Sequence, residues 1–149
     1  RDGLGIVHAL VDSGATAVFD LQTLSLWTSE EFLRDQRAED TFVREDHVAF
    51  FRSAEQGGTS WFHTRGMRKF GRPDVSIRGV PEALTDPAAD LLHRFAELGI
   101  RGGLVPDGEP VRARGWPAGY VCLHAGAFDD PEFNNVHLSV VADAPEIPG

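Results

Sequence analysis

Residues 46–65, DHVAFFRSAEQGGTSWFHTR, decide the fold. The turn-forming run at 55–58, Glu-Gln-Gly-Gly, separates two segments, and the second of them, residues 59–65, is rich in residues that favour strands. The apolar content of residues 47–53 fits a helix or a strand, but the turn and the strand-like partner beyond it favour a strand. We therefore predict a β-hairpin that pairs residues 46–53 with residues 59–65.

Helices are predicted on both sides of this hairpin. The clearest spans residues 87–98, where Asp86 can serve as the N-cap, Gly99 can cap the C-terminus, and four apolar residues recur at helical spacing. These four are expected to form its buried stripe: Leu91, Leu92, Phe95 and Leu98. A second helix is predicted at residues 3–13, followed by a buried strand at 15–21.

A third helix is predicted to begin at Thr28 and to end near Arg37. Thr28 and Glu31 have the spacing of a capping box, in which a hydroxyl and a carboxylate each satisfy a free backbone N–H group. Glu30 and Glu31 would also lie in the first turn, where the helix dipole favours negative charge.

Further strands are predicted at residues 74–78, 120–124 and 136–142. A second hairpin is predicted from Leu104 and Val105, through a turn at 107–108, to Val111 onward. The order of helices and strands lacks a regular βαβ alternation. We therefore predict an α+β fold, with a largely antiparallel mixed sheet packed against about three helices. The length of 149 residues fits one domain over residues 1–149. Because the sequence opens at Arg1 without an initiator Met, we expect it to be part of a longer chain.

The composition disfavours several functional classes. A net charge of -9 disfavours binding to nucleic acid and to anionic membrane surfaces. Cys122 is the only cysteine, which excludes an intramolecular disulfide and fits a reducing compartment, so we expect a cytoplasmic protein. Thirteen of the fourteen basic residues are arginine, which indicates a GC-rich bacterial source.

The stretch at 61–74, WFHTRGMRKFGRPD, is the first candidate site. It places four basic residues within eight positions of an acidic protein, and the planar guanidinium of arginine grips carboxylate or phosphate groups. Gly66 and Gly71 could let backbone N–H groups approach the same anion. We predict an anion-binding site formed by His63, Arg65, Arg68 and Arg72. The alternative is a solvated basic face whose arginines pair with surface carboxylates.

The stretch at 129–137, DDPEFNNVH, is the second candidate. Asn135 and His137 could form one polar face with Ser139, although Asn134 and Asn135 are also typical of a turn before a strand. Oxygen ligands from Asp129, Asp130 and Glu132 could hold a hard cation, but their spacing is not that of an EF-hand.

Motifs for metal, cofactor and nucleophile chemistry are absent from the sequence. The histidines lack zinc-site spacing, although His63, His124 and His137 fall on predicted strands that the fold could bring together. The chain has no GxSxG elbow, no P-loop and no GxGxxG motif. Cys122 lies between apolar neighbours and is expected to be a small buried residue. We therefore expect no metal and no cofactor.

The segments HTRGMRKFGRPD (63–74) and FNNVH (133–137) resemble bacterial proteins that are classed only as domains of unknown function. Residues 8–22 and 27–32 are also similar to their pattern. The resemblance implies a bacterial, cytosolic α+β protein and implies no catalytic residues.

These observations favour a non-enzymatic module that binds a small anionic ligand or a protein partner. The alternative is a small hydrolase or transferase with His63 or His137 as general base and Asn135 and Arg65 steadying negative charge. This alternative requires both histidines to converge in one pocket. A third hypothesis is an assembly role, and the sequence does not set the oligomeric state.

Overall fold

The computed structural model of the protein describes residues 2–36, 47–126 and 132–142. Its helices are α1 (Asp2–Asp12), α2 (Ser29–Gln36) and α3 (Thr85–Ile100). Its strands are β1 (Ala17–Asp20), β2 (Ser25–Thr28), β3 (Ala49–Ala54), β4 (Ser60–Arg65), β5 (Asp74–Val80), β6 (Pro110–Val111), β7 (Gly119–His124) and β8 (His137–Ala142). Short 3₁₀ helices lie at Met67–Phe70 and Glu82–Leu84.

The main sheet has six strands in the order β3-β4-β5-β8-β7-β6. Strands β5 and β8 pair in parallel, and the other neighbours pair antiparallel. Strands β3 and β4 form the predicted hairpin, with Ala54 opposite Ser60 and Ala49 opposite Arg65. The predicted α+β fold with a largely antiparallel mixed sheet is therefore confirmed.

Helix α3 packs on one face of this sheet and forms the main core. Side chains alternate between the two faces of a strand, so Phe62 of β4 and Ile77 of β5 point towards α3 and pack with Leu91 and Leu92. Trp61, on the same strand as Phe62, therefore points to the opposite face. This alternation assigns each strand residue to one of the two faces.

The predicted ends of α3 are wrong by two residues. The helix begins at Thr85, and its N-cap position is Leu84, which makes no side-chain capping bond, so Asp86 lies in the first turn and is not the cap. At the other end Gly99 lies inside the helix, which continues to Ile100. The backbone N–H of Arg101 still donates to a helical carbonyl, that of Glu97, at 3.1 Å, so the helix extends past the glycine.

The buried stripe of α3 also differs in part from the prediction. Leu91 and Leu92 are buried and Phe95 is partly buried, but Leu98 is 45% exposed. Ala88 and Ala96 complete the buried face. Small residues at these two positions let the helix approach the sheet closely.

Strands β1 and β2 form a separate two-stranded antiparallel sheet. The sequence prediction missed β2, and the predicted burial of the first strand is wrong. Phe19 and the residue opposite it, Leu26, are 53% and 69% exposed. A two-stranded sheet with an exposed face leaves alternate side chains in solvent, whatever their polarity.

Helix α2 confirms the predicted capping box. The backbone N–H of Thr28 donates to Glu31 Oε2 at 2.8 Å, and the backbone N–H of Glu31 donates to Thr28 Oγ1 at 3.2 Å. The predicted helix end near Arg37 and the first predicted residue of the hairpin, Asp46, lie outside the described residues.

None of the helices in the described parts of the chain combines the length and the apolar character that a membrane span requires.

Candidate functional site

The two candidate stretches of the sequence meet in the structure. Because β5 and β8 are parallel neighbours, their first residues, Asp74 and His137, lie side by side. The segments that lead into them, residues 65–73 and 132–136, therefore lie against each other. The 3₁₀ helix at Met67–Phe70 belongs to the first of these segments.

Asp74 holds this junction together. Its side chain is 2% exposed. Oδ1 accepts hydrogen bonds from Thr64 Oγ1 at 3.1 Å and from the Met67 backbone N–H at 3.2 Å, and Oδ2 accepts one from Asn135 Nδ2 at 2.9 Å. Burial raises the pKa of Asp74, although these hydrogen bonds favour the ionised form. One buried carboxylate thus joins β4, the 3₁₀ helix and the entry to β8.

Two of the predicted anion-binding residues hold the second stretch against the first. Arg65 donates from Nη2 to the carbonyl of Glu132, and its guanidinium lies 5.8 Å from the centre of the Phe133 ring. Arg68 donates from Nη1 to the carbonyl of Asn134 at 2.8 Å. Both guanidinium groups therefore bind backbone carbonyls of residues 132–134.

Arg72 lies apart from them, at the C-terminal end of α3. It donates from Nε to the carbonyl of Gly99 at 3.3 Å, from Nη1 to its neighbour Gly71 at 3.4 Å and from Nη2 to Gly102 at 3.0 Å. A cation at this position also interacts favourably with the helix dipole. The four predicted anion-site residues are thus divided. His63 and Arg65 lie on the face of the sheet opposite α3, which we call the open face. Arg68 lies at the junction, and Arg72 lies on the α3 face.

The open face carries stacked rings. His63 stacks between Phe51, at 5.2 Å between centroids, and Trp61, at 3.9 Å, and the Arg78 guanidinium lies 3.9 Å from the Trp61 ring centre. Trp61 Nε1 also donates to Ser76 Oγ at 2.9 Å. This row buries the imidazole of His63 to 5% exposure.

A second row of rings meets the first at Phe133. Phe133 stacks on His137 at 4.4 Å, and His137 stacks on His124 at 4.7 Å. The Phe133 ring also meets the edge of His63 at 5.9 Å. The two histidines that the enzymatic alternative requires therefore lie on one face, on either side of a buried phenylalanine.

The environment of His63 keeps its imidazole neutral. Burial, together with the positive charges of Arg65 and Arg78, lowers the pKa of His63 to about 4. Its Nδ1 atom is buried and has no hydrogen-bond partner among the described residues.

A cleft of about 290 Å³ lies between the C-terminal end of α3 and strands β5, β8 and β7. We call it the Arg72 cleft. Arg72 and Asn135 are the polar side chains that line it in the described structure. The rest of its lining is apolar or glycine: Met67, Gly71, Pro73, Val75, Phe95, Gly99, Gly103, Leu104, Val105, Leu123, Val136 and Leu138.

The mouth of the Arg72 cleft exposes apolar side chains to solvent. Leu104 is 74% exposed, Leu123 is 45% exposed and Val136 is 38% exposed. Asn135 directs its amide inwards, because Nδ2 donates both to the Arg72 carbonyl, at 2.8 Å, and to Asp74. The cleft thus combines an apolar wall with one guanidinium group.

The sequence pointed to Arg72 and Asn135 but not to the cleft they share. Asn135 and His137, predicted to share a polar face, lie in different surroundings, since Asn135 lines the cleft while His137 stacks in the second row of rings. The predicted hairpin between Leu104-Val105 and Val111 onward is wrong, because residues 103–106 belong to neither a helix nor a strand and Val111 pairs with Gly119. The hydrophobic wall was therefore missed, since Leu104 and Val105 follow two glycines. The sequence signal that could have revealed this wall is the presence of apolar residues in a glycine-rich loop.

Within residues 2–36, 47–126 and 132–142, no three histidine, cysteine, aspartate or glutamate side chains are grouped so that they could hold a metal ion. The possible cation ligands Asp129 and Asp130 lie outside these residues. Comparison with known protein families, with curated proteins and with solved structures finds no match for the chain. The resemblance noted for residues 63–74 and 133–137 stays a prediction.

Proposed function

We propose that the chain is a non-enzymatic binding module that holds a small apolar monocarboxylate in the Arg72 cleft. The observation that carries the proposal is the pairing of an open apolar cleft with a guanidinium group that has no acidic partner among the described residues. In the described part of the chain, the acceptors of Arg72 are three backbone carbonyls, and no carboxylate forms an ion pair with it.

The polar groups of the cleft favour one negative charge. A guanidinium presents several N–H donors in a plane, so Arg72 can bind a carboxylate while keeping bonds to the end of α3. Asp74 lies directly behind Asn135, and the net charge of the protein is -9. These negative charges oppose a second charge on the ligand. A carboxylate is therefore favoured over a phosphate dianion.

The size of the cleft favours a ligand of about ten non-hydrogen atoms. An apolar cavity of about 150 Å³ is sufficient to hold benzene. The Arg72 cleft has about twice that volume. A ligand there would cover Leu104, Leu123 and Val136, and removing their exposed surface from water is favourable. For a ligand of this size we expect a Kd on the order of 0.1–1 mM.

Titration with octanoate tests the proposal, because the neutral octanamide is a matched probe of the same shape. We expect isothermal titration calorimetry to give at least tenfold tighter binding for octanoate than for octanamide. The Arg72→Gln variant removes the positive charge. It is expected to lower the affinity for octanoate at least tenfold and to change the affinity for octanamide little.

Arg101→Gln is the control variant. Arg101 lies at the same helix end, but its side chain is 76% exposed and pairs with Glu97 at 2.9 Å. It should bind octanoate as the unmodified chain does. Equal binding of octanoate and octanamide, or full octanoate affinity in folded Arg72→Gln, would contradict the proposal.

The enzymatic alternative is less well supported by the surroundings of the two histidines. They share a face, as it requires, but Phe133 lies against both. His63 is packed between rings, and a pKa of about 4 makes it a weak base near neutral pH. A general base must also reach the proton that it removes, which the packing around His63 prevents.

A bacterial source and a cytoplasmic location belong to the same proposal. Their support is the arginine-rich composition and the unpaired Cys122. A protein partner remains a second hypothesis for the occupant, and fractionation of the native host cell would test the location.

A further inference from the structure

We infer that the ligand is a straight-chain carboxylate of about ten to fourteen carbons, whose tail passes Phe95 and Val105 into a second cleft. This inference rests on the proposed function of the Arg72 cleft and extends it to a substrate class. The second cleft has a volume of about 280 Å³ and lies further along α3. Phe95 and Val105 line both clefts.

The second cleft continues the apolar wall of the first. Leu91 and Leu98 of α3 line one side, and Val111 and Val121 line the other. Three charged side chains also line this cleft, Arg94, Glu109 and Arg112, and Arg94 already pairs with Asp90 at 2.8 Å. A tail in this cleft would lie along the apolar side chains of α3, β6 and β7, with its charged end left at Arg72.

Val105, which with Phe95 separates the two clefts, can be displaced by a ligand. Val105 lies in residues 103–106, which belong to neither a helix nor a strand. Among the described residues, the backbone N–H groups of Leu104 and Val105 make no backbone hydrogen bond. Because no strand pairing fixes this segment, a small displacement of Val105 breaks no strand or helix hydrogen bond. Phe95, opposite it, is only partly buried.

The length of the two clefts sets the length of the ligand. Gly99 lines the first cleft and Leu91 lines the second, so together the clefts follow α3 over eight residue steps, from Leu91 to Gly99. That distance is about 12 Å along the helix axis. An extended chain of about ten to twelve carbons covers it, and a bound chain that bends can be slightly longer.

The test is a Kd series with hexanoate, octanoate, decanoate and laurate, each below its micelle concentration. Each methylene buried in an apolar site should raise affinity about three- to fourfold. We expect this increase to continue over the four methylenes from octanoate to laurate, which amounts to a gain in affinity of about 80- to 250-fold. Laurate should displace octanoate, and Arg72→Gln should weaken both.

A variant that fills the second cleft separates the two proposals. Ala113 is partly buried and lines only the second of the two clefts. Ala113→Leu should reduce laurate affinity towards that of octanoate and leave octanoate unchanged. Leu98→Phe fills the same cleft from α3 and provides an independent check if Ala113→Leu does not fold.

Each result points to one proposal. If octanoate binds through Arg72 but affinity stops rising beyond eight carbons, the second cleft is not used and the inference is overturned while the proposed function stands. If both filling variants fold and leave laurate affinity unchanged, the inference is likewise overturned. If octanoate binds without dependence on Arg72, the proposed function itself fails.

Discussion

Replacing Asp74 tests whether the junction between residues 65–74 and 132–137 holds the site together. Asp74→Ala removes the acceptor of three hydrogen bonds, and two of the donors, Thr64 Oγ1 and the Met67 N–H, are buried. Leaving a buried donor without a partner costs about 1–3 kcal/mol. The third donor, Asn135 Nδ2, keeps its hydrogen bond to the Arg72 carbonyl, so the loss of its bond to Asp74 costs less free energy.

The expected loss for Asp74→Ala is about 4 kcal/mol of unfolding free energy, the sum of two buried donors and one partly satisfied donor. Asp74→Asn should cost less, about 1–2 kcal/mol, because an amide oxygen can still accept from two of the donors. The asparagine also avoids burying a charge, and burial is what raises the pKa of Asp74.

Urea unfolding followed by tryptophan fluorescence measures both losses, since the chain has three tryptophans. Asp12→Asn is the control, because Asp12 is an exposed residue at the end of α1 and should change stability by less than about 0.5 kcal/mol. An Asp74→Ala variant within about 1 kcal/mol of the unmodified protein would refute the central role of this carboxylate.

Three further changes probe other parts of the structure. His63→Phe keeps the ring stack and removes the titrating imidazole. Because the pKa of His63 is lowered to about 4, the unmodified protein should lose stability as pH falls from 6.5 towards 4. The stability difference between the two proteins, measured by denaturation at each pH, should follow that titration. If the two pH profiles coincide, His63 does not titrate as inferred. Thr28→Ala breaks the capping box with Glu31 and should cost about 1 kcal/mol, read from urea midpoints; no change would contradict the capping role. Gly66→Ala places a Cβ 2.3 Å from the His47 carbonyl oxygen, whereas the Cβ of Gly71→Ala meets open space. Thermal melting should therefore show a clearly larger fall in Tm for Gly66→Ala. Equal falls in Tm would contradict the close approach at Gly66.

The fold was predictable where the local signals agree. The Glu-Gln-Gly-Gly turn fixed the β3–β4 hairpin, and the Thr28–Glu31 spacing fixed the start of α2. The ends of α3 were not predictable from its caps, because Gly99 is tolerated within the helix, where Met67 and Arg72 pack against it. Tertiary contacts there override the preference of glycine for a helix end.

The site was predictable only as two separate segments. Nothing local to residues 63–74 or 133–137 shows that β5 and β8 are parallel neighbours, and that pairing alone brings the segments together. The division of the arginines between two faces was not predictable either, because Arg72 follows the 3₁₀ helix towards α3 while Arg65 remains on β4. Long-range strand pairing was thus the missing information.

The most direct test of the central claim is an NMR titration of the ¹⁵N-labelled protein with octanoate. The Arg72 cleft predicts saturable shifts that are largest for the backbone amides around it, those of Gly71, Gly99 and Gly103. The same shifts should be much smaller with octanamide at equal concentration. Largest shifts on the exposed β1–β2 hairpin, or shifts that do not saturate, would contradict a carboxylate site at Arg72.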